Sequence, residues 1–73
     1  MLNDRPKKRS ITLNGHKTSV SLEDPFWHYF CKLAFEKNQS LNALASDIDL
    51  KRQSNIGLAS SIRIFCLNEA QKH

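Results

Sequence analysis

An α+β fold, mostly helical, in which a short N-terminal β-hairpin or strand is followed by two to three helices, is predicted by three local patterns. Polar and apolar side chains alternate from Lys17 to Leu22, the spacing of a strand with one face buried. Asn14-Gly15 stands just before that stretch and Asp24-Pro25 just after it. The first pair favours the positive φ angles of a two-residue type I′ turn. The second starts a helix with no intervening loop.

The hairpin runs from Ser10-Ile11-Thr12-Leu13 through Asn14-Gly15 into the strand at Lys17. With Asn14 and Gly15 as the loop, Leu13 faces His16, Thr12 faces Lys17, Ile11 faces Thr18 and Ser10 faces Ser19. Ile11, Leu13, Thr18, Val20 and Leu22 then share an apolar side. Lys8, Ser10, Thr12, Lys17, Ser19 and Ser21 share the other side, which is basic and rich in hydroxyls. A half-exposed sheet carries a polar face in any case, so the composition of this face alone does not assign it a partner.

Asp24 is expected to cap the first helix, with Pro25 in the first turn, where its missing N–H costs nothing. Glu23 adds negative charge at the positive end of the dipole. Phe26 or Trp27, Phe30, Leu33 and Ala34 recur at helical spacing as far as about Lys37 and form the stripe that covers the hairpin. Asn38-Gln39 ends this helix. Ser40 is the expected N-cap of a short second helix with Leu41, Leu44 and Ile48 on its apolar side. Lys51 to Asn55 reads as a polar loop. The last helix begins near Gly57 and buries Leu58, Ile62, Phe65 and Cys66, while Ile64 and Leu67 widen the stripe. Such breadth fits a helix covered by its own chain and by a symmetry mate.

Seventy-three residues make one domain, of a size that is stable chiefly with help from a bridge, a metal or a partner subunit. Two cysteines without a secretory signal or a long apolar run argue against a disulfide framework and a membrane span. They point to reducing cytoplasm and leave a partner subunit as the aid. The net charge of +4 sits wholly in residues 1–17, where Arg5, Lys7, Lys8, Arg9 and Lys17 oppose only Asp4. The rest of the chain is balanced. This concentration is the footprint of a polyanion-binding surface. Residues 1–8 are read as a flexible basic arm and 9–71 as the folded domain.

Catalysis is not indicated, since His16, His28 and His73 are scattered and neither a phosphate-binding glycine loop nor a nucleophile motif is present. His28 and Cys31 lie three apart on one helix without a CxxC or second His nearby, too few ligands for a metal site. No cofactor is expected. Cys31 and Cys66 read as small buried apolar residues.

The stretch TSVSLEDPFWHYFCKLA (residues 18–34), together with GHKTSVSLED, SLNAL and LASSIRIF, resembles the ribbon-helix-helix DNA-binding family in its extended bacterial form with an additional short helix. The resemblance covers about residues 9 to 69. It implies an intertwined homodimer whose paired strands enter the major groove of double-stranded DNA. It also implies a sequence-specific transcriptional regulator or repressor at the bacterial nucleoid, active in the cytoplasm, not an enzyme. Carried over by position, Lys17, Ser19 and Ser21 read base edges, a role the groove's acceptors and width permit.

Phosphates are assigned to Lys7, Lys8 and Arg9 and to a helix N-terminus. Two N-termini compete for that role. Ser40, Leu41 and Asn42 occupy the family's clamp position, while Lys51 and Arg52 precede the last helix. A second function class uses the same dimer as a protein interaction module, an adaptor or an antitoxin. The chain ends at His73, about where its last helix ends, which favours a regulator over an antitoxin carrying a further toxin-binding segment. The hairpin sets a steric condition on all of this, because a strand already paired with residues 10–13 has one edge left for a partner, and a four-stranded sheet would crowd a major groove.

Overall fold

The structure, a computed structural model, describes residues 5–72; residues 1–4 of the expected arm, and His73, lie outside the described residues. Two strands, β1 (Lys7–Leu13) and β2 (His16–Leu22), precede three helices, α1 (Asp24–Glu36), α2 (Leu41–Lys51) and α3 (Leu58–Gln71). The strands form one antiparallel pair, with Leu13 opposite His16, Thr12 opposite Lys17, Ile11 opposite Thr18 and Ser10 opposite Ser19, the register expected from the turn. Asn14 and Gly15 take φ angles of 51° and 84°, as a type I′ turn requires at both central positions. β1 begins at Lys7 rather than Ser10, so Lys7 and Lys8 are strand residues opposite Leu22 and Ser21.

One sheet face packs on the helices. Ile11, Val20 and Leu22 join Phe30, Leu33, Ala34, Leu44, Ala45, Ile48, Ile62 and Cys66 in a single core. Phe30 is its centre, fully buried, edge-on to Phe65 at 6.4 Å and tilted against Trp27 at 6.5 Å between ring centroids. Thr18, expected with the apolar set, is exposed although Ile11 opposite it is buried, because α2 packs along β1 and leaves the turn-proximal end of β2 uncovered.

The start of α1 differs from expectation. Asp24 is the first helical residue rather than the cap, and no side chain caps the helix. Its carboxylate instead meets Lys7 and Arg9 across the hairpin. The end of α1 is closed by Asn38 at φ 55°, with Asn38 N–H donating to the Phe35 carbonyl and Gln39 N–H to the Ala34 carbonyl, the paired bonds of a Schellman ending. Ser40 caps α2 as expected, its Oγ accepting from Ala43 N–H at 3.0 Å. Lys51 is the last residue of α2 rather than part of the loop. α3 packs against α1, α2 and β2. Ile64 and Leu67, which broaden its apolar stripe, remain 50% and 54% exposed in the single chain. Among the described residues, no helix is long and apolar enough to cross a membrane.

Candidate nucleic-acid interface

The sheet face turned away from the core holds Lys8, Ser10 and Thr12 of β1 opposite Ser21, Ser19 and Lys17 of β2. All are exposed except Thr12, which is half-buried. This face carries, among the described residues, two cations, four hydroxyls and no carboxylate. Among the described residues neither lysine has an ion-pair partner, so both charges are available to an external anion. The three expected base-reading residues are therefore together, on alternate positions of one strand and on one side of it.

The two edges of the hairpin differ. Thr12 N–H donates outward to Asn42 Oδ1 of α2 at 2.9 Å, and Asn14 N–H points to Ser46 Oγ at 3.4 Å. α2 thus covers the turn-proximal part of the outer edge of β1. Antiparallel pairs alternate between exchanging both backbone hydrogen bonds and exchanging none. An outward Thr12 amide makes Thr12–Lys17 a non-bonded pair, and Ser10–Ser19 and Lys8–Ser21 follow. The backbone groups of Lys17, Ser19 and Ser21 consequently point away from β1, along the free edge of β2. Arg63 of α3 reaches the Ser21 carbonyl there at 3.4 Å. An uncovered strand edge is a template for another strand.

The basic residues assigned to phosphate are not gathered in one place. Arg9 lies opposite Val20 on the packed face. Its side chain is only 15% exposed, donates to the Leu22 carbonyl at 3.1 and 3.3 Å, meets the Asp24 carboxylate and lies over the Trp27 ring at 5.4 Å. Its guanidinium is thus engaged within the fold, on the face opposite Lys8 and Lys17. Lys7 shares that side and pairs with Asp24 at 2.9 Å, although its chain is exposed. The Arg9 and then the Lys7 hydrogen bonds pull the Asp24 carboxyl down to about 2 from an ordinary 3.8. Glu23 is likewise held below its usual range, chiefly by the Arg63 side chain, which bonds it at 2.9 and 3.1 Å. These pairs fasten the strand-to-helix joint.

The two candidate helix N-termini separate in space. Asn42 lines a shallow concavity with Ser10, Thr12 and Lys17, which puts the start of α2 beside the polar face. The Ser40 hydroxyl and the Asn42 carbonyl oxygen are used within the fold. The Leu41 and Asn42 N–H groups, in the first turn of the helix, have no intrahelical acceptor. Lys51 and Arg52 lie about 15 Å along α2 from Leu41 at the usual helical rise. Arg52 braces the α2–α3 loop, donating to Asp49 Oδ1 at 2.7 Å and to the Ile56 carbonyl at 2.8 Å; Lys51 is exposed. The structure thus brings Lys17 and Asn42 together and leaves Lys51 and Arg52 apart from them.

The roles of Asn42 and Ser46 as caps of the β1 edge were not foreseen, since they act across 30 and 32 residues and no local pattern marks them. The inward turn of Arg9 did have a signal. The hairpin register puts residue 9 on the same parity as Ile11.

A family model described as a ribbon-helix-helix domain matches residues 6–70 of the chain. No curated protein and no solved structure matches it.

Proposed function

The chain belongs to the ribbon-helix-helix domain family, whose members bind DNA as dimers, and from that premise we propose that it is a sequence-specific, homodimeric transcriptional regulator of double-stranded DNA. The observation that carries the reading is β2 itself, with a free backbone edge on one side and Lys17, Ser19 and Ser21 exposed on the face opposite the core. Two copies of β2, joined along that edge about a twofold axis, make an antiparallel ribbon that doubles every side-chain contact. Ile64 and Leu67 on α3, exposed in one chain, supply apolar area for the same association.

In the major groove Lys17 donates to guanine acceptors, and Ser19 and Ser21 donate to or accept from base edges. Hydroxyls discriminate weakly, so Lys17 dominates base preference, and the operator consists of paired half-sites. Lys8 and the free amides of Leu41 and Asn42 take phosphates. Arg9, Lys7 and Arg52 hold the scaffold. As part of this proposal the regulator acts on the bacterial nucleoid, in the cytoplasm, and no cofactor is invoked.

Duplex titration across a salt series tests the proposal. The logarithm of the affinity falls linearly with the logarithm of salt concentration, and Lys17→Glu abolishes binding while leaving the melting profile intact. Affinity indifferent to salt would refute DNA reading and leave the same scaffold as a protein interaction module.

A further inference from the structure

We propose that β1 is an outer rail of the DNA-binding sheet, with Lys8 and Ser10 touching the sugar-phosphate strands on both rims of the major groove, outside the two β2 strands that enter it. The inference rests on the dimeric DNA-binding reading above and adds to it the part that the second strand of the hairpin plays.

The strand order follows from the edges. α2 covers the turn-proximal part of the outer edge of β1 through Asn42 and Ser46, whereas β2 has no strand on its other edge, so the partner joins at β2 and the assembled sheet runs β1, β2, partner β2, partner β1. Neighbouring strands lie about 4.8 Å apart. The two β2 strands are then each about 2.4 Å from the twofold axis, and the two β1 strands each about 7 Å from it. A major groove about 12 Å wide has its rims about 6 Å from its centre. The central pair fits between the rims and the outer pair sits over them, which resolves the crowding a four-stranded sheet would otherwise meet.

Chemistry at the rim agrees with the spacing. Lys8 and Ser10 point to the same side as Lys17, Ser19 and Ser21, both are exposed, and among the described residues no carboxylate shares their face. An ammonium and a hydroxyl suit phosphate oxygens. They carry no base code at that distance.

Two variants at exposed positions test the rail, read by the salt dependence of duplex affinity and by base preference in a panel of altered half-sites. Each phosphate contact contributes about 0.9 to the logarithmic salt slope. Lys8→Ala, removing two contacts per dimer, flattens the slope by about 1.8. Ser10→Lys steepens it by about the same amount, about a twelvefold change over a fourfold change in salt. Neither alters base preference, while Lys17→Ala relaxes it.

Unchanged slopes for both variants, with wild-type binding still salt-dependent and Lys17→Ala still relaxing preference, would overturn the rail and leave the ribbon reading standing. A shift in base preference from Ser10→Lys would also overturn it, by placing β1 inside the groove. Absence of salt-dependent binding by the wild-type protein would overturn both.

Discussion

Arg9→Ala separates a structural arginine from a DNA-binding one. The side chain gives two hydrogen bonds to the Leu22 carbonyl and covers Trp27 at 5.4 Å, with 15% of its surface exposed. Charged hydrogen bonds to a part-buried acceptor contribute about 1.5 to 3 kcal/mol and the cation–π contact about 0.5 to 1 kcal/mol. The contact with Asp24, whose carboxylate is well solvated, adds little at neutral pH. Truncation therefore costs about 2 to 4 kcal/mol, which in a domain of this size lowers Tm by about 10 to 30 °C. Thermal melting by circular dichroism reads that loss. Duplex titration well below the lowered midpoint should give wild-type affinity and salt slope. Arg9→Lys rescues little, because an ammonium cannot hold the planar fork and the ring together. Unchanged melting with a flattened salt slope would refute the inward assignment and return Arg9 to the phosphates.

Other expectations concern the core, the acidic joint and the thiols. Phe30→Ala removes the ring at the centre of the core and costs about 3 to 5 kcal/mol, much of the roughly 4 to 11 kcal/mol total for a chain this long; denaturant melts should show it, and an unchanged midpoint would contradict the packing. Ile62→Ala, also fully buried, costs about 2 to 5 kcal/mol by the same measurement. Asp24 has a folded pKa of about 2 against an ordinary 3.8, so its ionised form stabilises the fold above about pH 4, and that contribution is lost as pH falls through about 2. Asp24→Asn should consequently be only slightly less stable than wild type at neutral pH, because the carboxylate is well solvated, and that small difference should close as pH falls from about 4 to below about 2. Burial pushes the Cys66 thiol up to about 11, whereas Cys31 is less enclosed and its thiol is raised less. A thiol reagent at pH 8 should label Cys31 well before Cys66, with Cys66 reacting at the rate of unfolding.

The hairpin could be read residue by residue because Asn14-Gly15 accommodates one tight turn and the alternation beyond it tolerates no slip without exposing Val20 and Leu22. The capping serine of α2 and the asparagine that closes α1 were legible for a similar reason. Each answers a backbone need within four residues. The start of α1 was not legible, since Asp24 can cap a helix or pair with cations, and the choice depends on Lys7 and Arg9 arriving from the opposite strand. Nor could periodicity place α2 along β1, a contact carried by the Asn42 and Ser46 side chains on the polar side of a helix. In the candidate interface, Lys17, Ser19 and Ser21 follow from strand parity alone. Which basic residues lie beside them depends on the tertiary fold, which turned Arg9 inward, set Arg52 to brace a loop and left Lys8 outward.

Amide hydrogen exchange along β2 addresses the pairing of two copies most directly. The Thr18 and Val20 amides bond within the hairpin, whereas those of Lys17, Ser19 and Ser21 point outward and have no acceptor in β1. If a second copy fills that edge, Ser19 is protected as strongly as Val20, and dilution below the dimer dissociation constant releases Ser19 first. Fast exchange at Ser19 beside slow exchange at Val20, at concentrations where DNA is bound, would contradict the ribbon on which the account depends.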